Sequence, residues 1–285
     1  MDSASLFNVK DKVVLVTGGA KGIGRMISEG FVANGAKVYI SSRDAKACEQ
    51  ACKELNALGT NSFYPLPYCI QTGADWFPPH PGKGTAHSIP ADFYKLEDCT
   101  RMVDELKKRE SKLHVLVNNS GSNWGAPYDE FPDTAWSRVL TLNLTRVFTI
   151  TQGVTPLLEA AAVDGDPARI INIGSVDGIR VPSLETFSYS ASKAGLHQLS
   201  RVLAHHLGKR NITSNALACG PFESKMMAAT LKNFKEAIVS GIPLGRIGSP
   251  QDVAGACLFL ASRAGSYVNG ATIALDGGSL VGSKL

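Results

Sequence analysis

The chain has 285 residues, 44% of them hydrophobic, 19% charged, and a net charge of +4. That length and apolar content suit one large α/β domain with a substantial core. The positive excess is too small and scattered to suggest nucleic-acid binding, though it would not repel an anionic cofactor or carrier.

The N-terminus, Met1-Asp2-Ser3-Ala4-Ser5, is polar and has neither an apolar signal region nor an Arg-rich amphipathic pattern. No apolar run approaches the ~20 residues of a membrane helix. Val13–Val16, Val38–Ile40, Val115–Val117 and Ile170–Ile173 read as strands alternating with helical patterns. This is the signature of βαβ units and a parallel sheet. The first strand runs into Thr17-Gly18-Gly19-Ala20-Lys21-Gly22-Ile23-Gly24, followed by a helical pattern. Gly18 suits a sharp turn, and Gly22 and Gly24 let backbone approach a phosphate at a helix N-terminus. The second strand ends at Ser42 and Arg43, where NAD-specific folds carry an acid for the ribose 2′-hydroxyl. A missing acid, a guanidinium and the nearby Lys21 point to NADPH, because cations bind a 2′-phosphate.

A helix over Ala45–Leu58 is followed by Thr60–Pro81, rich in proline and aromatics and without helical period, and then by a strand at Thr85–Ile89. Long structureless insertions need a reason. Here the reasons are a functional protrusion or a retained intron. Cys48, Cys52, Cys69, Cys99, Cys219 and Cys257 form no C-x-x-C, as expected of a reducing compartment. Cys48 and Cys52 suit packing on one helix face. The histidines form no metal-ligand motif, and no metal is expected.

Tyr189 and Lys193 in Ser188-Tyr189-Ser190-Ala191-Ser192-Lys193 are i,i+4 neighbours on a helix and so share a face. A fixed ammonium beside a phenol is expected to bring its pKa down toward the working range. Met227, Leu231, Phe234 and Ile238 recur at helical spacing. The last three residues, Ser283-Lys284-Leu285, match a receptor-read peroxisomal address. Peroxisomal import is therefore expected, with a cytoplasmic location as the alternative.

Together these segments resemble the classical short-chain dehydrogenase/reductase family over Leu6 to Gly278, most closely its 3-oxoacyl-[acyl-carrier-protein] reductases of the rhamnolipid type. Besides the glycine turn, the resemblance is carried by Asn118-Asn119-Ser120-Gly121, Asn143, Asn172-Ile173-Gly174-Ser175, the Tyr189/Lys193 pair and Pro221-Phe222-Glu223-Ser224. It implies a single-domain (1–285), doubly wound Rossmann fold with a parallel sheet of about seven strands and a substrate lid over 222–242. It implies Asn143, Ser175, Tyr189 and Lys193 as catalytic residues. Tyr189 would be the general acid, Ser175 the carbonyl ligand, Lys193 the nicotinamide-ribose ligand and Asn143 the holder of a water. It places the cofactor against Gly18, Lys21, Gly22, Ile23, Gly24, Ser42, Arg43, Asp92, Asn118, Gly121, Gly220, Phe222 and Ser224, with Tyr189 and Lys193.

Trp124, Ile179, Phe187, Met226 and Met227 are expected at the substrate. The expected reaction is NADPH-dependent reduction of a 3-oxoacyl thioester. The alternatives are a polyol, ketose or secondary-metabolite ketone reductase and an idle NADPH-binding regulator. A homotetramer or homodimer is expected. Two departures stand out: Gly174 where Ser is common and Cys219 where Pro is usual.

Overall fold

The computed structural model describes residues 2–57, 84–224 and 227–282. The insertion Thr60–Pro81, Met226 and the tail Ser283-Lys284-Leu285 lie outside the described residues. Seven strands form one parallel sheet: β1 (Val13–Thr17), β2 (Lys37–Ser41), β3 (Thr85–Ser88), β4 (Val115–Asn118), β5 (Ala168–Ile173), β6 (Ile212–Cys219) and β7 (Thr272–Leu275). Their order is β3-β2-β1-β4-β5-β6-β7. The helices are α1 (Ser3–Leu6), α2 (Gly22–Ala33), α3 (Ala45–Ala57), α4 (Leu96–Arg109), α5 (Asp133–Leu140), α6 (Arg146–Ala161), α7 (Phe187–Gly208), α8 (Ala228–Ser240) and α9 (Pro250–Ala261).

Every residue of β1, β4, β5 and β6 is buried, as a sheet covered by helices on both faces requires. Alternate side chains feed two cores. Val14, Val16, Ile171 and Leu217 pack with α2, α3 and α9, while Val13, Leu15, Leu116 and Ile170 pack with α4, α6 and α7. Helix ends follow local electrostatics. Helix α4 opens on Glu97 and Asp98 and closes on Lys107, Lys108 and Arg109, opposing its dipole. Helix α9 starts with a Ser249/Asp252 capping box and Pro250 in its first turn.

The strand order reverses between β1 and β4, and a doubly wound sheet presents its crevice at that point. There the Thr17 hydroxyl accepts from the backbone N–H of Asn119 (2.9 Å) and of Ser120 (3.1 Å). The Asn119 amide donates to the Thr17 and Gly18 carbonyls at 3.0 and 3.3 Å. The two loops that edge the crevice are thus tied to each other.

Beneath them lies a buried polar network. Asn118 donates to Thr151 (3.2 Å) and to Asn172 (2.9 Å), and Asn172 donates to Ser200 (3.0 Å) and Ser214 (3.2 Å). Asn118, expected at the cofactor, commits its side chain, 2% exposed, to this network, which leaves its backbone for a ligand. Neighbouring polar groups capture it because an unpaired buried amide is unfavourable. Replacing Asn172 with Ala strips partners from Asn118, Ser200 and Ser214 together. It should lower stability by about 2–4 kcal/mol, read from urea denaturation. A loss under about 1 kcal/mol would show that the network is energetically idle.

Candidate active site

The helix-terminal part of the site is built by β1 and α2. A Cβ at Gly24 would stand 2.2 Å from the Gly18 carbonyl oxygen and 2.4 Å from the Asn119 amide nitrogen, so only glycine lets α2 start this close to β4. Helix α2 has Lys21 as its N-cap with no side-chain cap bond, which leaves its first N–H groups facing the crevice. Arg43, just past β2, is exposed and has no ion pair among the described residues. Uncapped helix N–H groups and an unpaired guanidinium fit a dinucleotide that carries an extra phosphate.

Lys21 departs from expectation, because its ammonium is held by Asp44 at 2.8 Å. An acid two residues past Ser42 captures it, which leaves Arg43 as the free cation of the pair. Ser42 turns its hydroxyl to the Cys48 thiol at 3.0 Å, and Asp92 caps the following turn by accepting from Tyr94 N at 3.2 Å. Phe222 can serve a cofactor in one way. Its side chain is 2% exposed and packs in the core against Gly248, so it offers a cofactor backbone only.

At the far side, Ser175, Tyr189, Lys193 and Asn143 converge. Strand β5 ends at Ile173, and Ser175 caps the short turn Val176–Gly178 by accepting from Asp177 N at 3.1 Å. The Ser175 side chain lies close enough to Tyr189 to lower its pKa. Lys193, one turn along α7, donates to the Ile173 carbonyl at 2.7 Å. Gly121 faces both Lys193 and Asn143: a Cβ there would lie 3.8 Å from the ammonium and 3.3 Å from the Asn143 oxygen.

Asn143 sits in a π-helical turn, Thr141–Thr145, between α5 and α6. Such turns mark functional positions, and no residue pattern announced this one. Its amide donates to Ser122 O and to the Ser192 hydroxyl, both at 2.9 Å, and its oxygen accepts from Ser122 N at 2.8 Å. Both amide protons are used, so a water relay would have to use Asn143 carbonyl oxygens. Ser192, absent from the sequence expectation, joins the set by donating to the Tyr189 carbonyl at 2.7 Å.

Lys193 and Ser175 are each 5% exposed, and Tyr189 is half-buried. Burial pushes Tyr189 up to about 12, only partly opposed by the Ser175 side chain. Burial also brings Lys193 down to about 8. The expectation that the Lys193 ammonium brings the tyrosine down is therefore not met. The ammonium is spent on Ile173 O, and desolvation dominates. Cys219 behaves as a buried apolar side chain, with its thiol pushed up to about 12 by burial.

Gly174 and His197 form a pair that residue patterns did not reveal. A Cβ at Gly174 would stand 2.2 Å from His197 Nε2, and that nitrogen is buried without a hydrogen-bond partner. Burial, together with Lys193 one turn earlier, brings His197 down to about 4, so it is neutral. The absent serine side chain at Gly174 is thus the room that His197 occupies behind Ser175.

Of the expected substrate residues, Trp124 and Phe187 are half-buried and Ile179 is 53% exposed. Phe187 packs edge-on to Tyr128 and Phe131 with centroids 5.8 and 5.2 Å apart. Met227 caps α8, but the expected apolar stripe is broken. Phe234 leaves helical geometry (φ −133°) and is exposed, and only Leu231 of the stripe is buried.

Family models match two stretches, "Enoyl-(Acyl carrier protein) reductase" over residues 80–279 and "short chain dehydrogenase" over residues 12–76. The chain belongs to the short-chain dehydrogenase/reductase family. It is 38% identical to the rhamnolipids biosynthesis 3-oxoacyl-[acyl-carrier-protein] reductase of Pseudomonas aeruginosa, over 95% of this chain and 97% of that one. It is 31% identical to the 5-keto-D-gluconate 5-reductase of Escherichia coli K12, over 97% and 98%. Among solved structures, the Pseudomonas aeruginosa RhlG/NADP active-site complex superposes with a TM-score of 0.86 at 37% identity. That match covers 99% of this chain and all of the other.

The Gly174/His197 contact makes a coupled prediction. Gly174→Ala should lower stability by about 2 kcal/mol and depress kcat by displacing Ser175. Adding His197→Ala should recover part of both. Double-mutant thermal and kinetic data that are simply additive would show that the two positions are not in steric conflict.

Proposed function

We propose that the chain is an NADPH-dependent ketoreductase that converts a 3-oxoacyl thioester to the 3-hydroxyacyl thioester. The observation that carries the reading is the convergence of the Ser175 and Tyr189 hydroxyls beside a desolvated Lys193. When bound, the reduced nicotinamide supplies the hydride. The uncapped start of α2 would hold the pyrophosphate, and Arg43 the 2′-phosphate.

The remaining chemistry belongs to the chain. Two adjacent hydroxyls let one carbonyl oxygen accept from both Ser175 and Tyr189, which orients the ketone and stabilises a developing alkoxide. With its pKa at about 12, Tyr189 stays protonated at neutral pH and acts as a donor, the state that reduction requires. Lys193, at about 8, can pass a proton toward Tyr189 without a large energetic step. The Ile173 carbonyl and the Ser192–Asn143 contacts fix α7 and the Gly121 loop around this pair.

Two features favour an acyl chain over an anionic sugar acid. Val181 and Leu184 join Ile179 in leaving an apolar, exposed rim on the segment between Ser175 and Phe187. Asp177 lies close enough to raise the Tyr189 pKa, and it would repel a substrate carboxylate.

Tyr189→Phe should leave NADPH binding nearly intact and lower kcat by about 10²–10⁴-fold. Retention of more than half the turnover would refute the acid assignment. Arg43→Asp should move the cofactor preference from NADPH toward NADH, because a carboxylate accepts from a 2′-hydroxyl and repels a phosphate. Equal kcat/KM for the two cofactors in the unmodified enzyme would remove the basis for it. Steady-state NADPH oxidation with 3-oxoacyl thioesters, ketoses and quinones tests the substrate class. Turnover confined to ketoses would replace the thioester reading.

A further inference from the structure

Arg138 lies on α5, exposed, with neither an ion pair nor a side-chain hydrogen bond among the described residues. Its guanidinium stands 5.6 Å from the centroid of the Trp124 ring and 5.9 Å from that of Tyr94. The two rings come from different loops, and that of Trp124 continues from Gly121, which borders Lys193 and Asn143. The Tyr94 hydroxyl donates to Ser122 at 3.2 Å, and the Ser122 backbone is bound at both ends by Asn143. Gly125, next to Trp124, packs near Thr186 and Glu185, just ahead of Phe187 and Tyr189.

Aromatic rings offer a guanidinium no hydrogen-bond acceptor of ordinary strength, so its N–H groups remain available to a ligand. A restrained arginine with free donors is preorganised for the paired oxygens of a phosphate. The reacting ketone carries no charge and gives this cation nothing to do. The arm that bears a thioester ends in a phosphate. We propose that Arg138, braced by Trp124 and Tyr94, binds the phosphate of the phosphopantetheine arm, whether that arm belongs to coenzyme A or to a carrier protein. This rests on the thioester reading above.

The test gives the enzyme one 3-oxoacyl chain on coenzyme A, on acyl carrier protein and on N-acetylcysteamine, which has no phosphate. Arg138→Gln should raise KM about tenfold for both phosphate-bearing substrates, with kcat within about twofold, and leave the N-acetylcysteamine thioester unchanged. Arg138→Lys should recover part of the loss by keeping the charge without the fork. In the unmodified enzyme, pantetheine 4′-phosphate should inhibit competitively, about tenfold more tightly than pantetheine.

Equal effects on all three thioesters, no effect, or equal inhibition by the two pantetheines would overturn the proposal. So would a KM increase confined to one carrier, because Arg138 would then read that carrier's own surface. If the unmodified enzyme fails to reduce even the N-acetylcysteamine thioester, the thioester reading falls and takes this proposal with it. The relative kcat/KM on the two carriers identifies which one supplies the arm.

Discussion

The contact on which the site depends is the 2.7 Å bond from the Lys193 ammonium to the Ile173 carbonyl, made out of reach of water. A buried ammonium is tolerated only where a fixed acceptor meets it. The acceptor here is the last residue of β5, whose position is set by pairing with β4 and β6 on either side. The bond therefore ties α7 to the middle of the sheet, and with it Tyr189 and Ser192. Desolvation then sets both protonation states, with the lysine brought down and the tyrosine raised. An ammonium that simply faced the phenol in water would do neither.

The opposite half of the crevice follows a different rule. Thr17 and Asn119 join the loops after β1 and β4 through hydrogen bonds that involve backbone, so the glycine turn is braced from behind while the start of α2 stays uncapped. The two halves meet at Gly121, which touches Asn143 and Lys193 at close range. One loop, residues 119–122, thus belongs to both the phosphate end and the carbonyl end of the site.

Much of this was legible in the sequence, because the signals were local. Short apolar runs such as Val13–Val16 and Ile170–Ile173, the second carrying Asn172, read as strands buried on both faces, and they marked the sheet. Strand β6 (ITSNALAC) was harder to read, since Ser214 and Asn215 interrupt the run. Both are satisfied by distant partners, Asn215 by the Val268 carbonyl and Ser214 by Asn172. The departures share that cause. Asp44 capturing Lys21, Asn118 turning into the core and His197 filling the space at Gly174 are all choices of tertiary partner. Spacing identifies which side chains can meet. It does not say which of several neighbours will take a hydrogen bond, or how far burial will move a pKa.

The arrangement also explains where the stability for such a site comes from. Lys193 is desolvated, His197 Nε2 and Asn118 Oδ1 have no partner, and Asn143 is held in a π turn. Each of these is unfavourable on its own. None sits at the periphery, since all lie within or against the strands β4, β5 and β6 and their covering helices α6 and α7. Those elements contribute much of the apolar core on that face, from Leu116 and Ile170 to Val154, Leu158 and Leu203. The unfavourable groups are thus embedded where relaxation is most restricted. A rigid surround keeps the buried lysine and imidazole from being relieved by local unfolding. The same rigidity holds Ser175 and Tyr189 as neighbours before any ligand arrives, so the placement of the proton donor is a property of the folded chain itself.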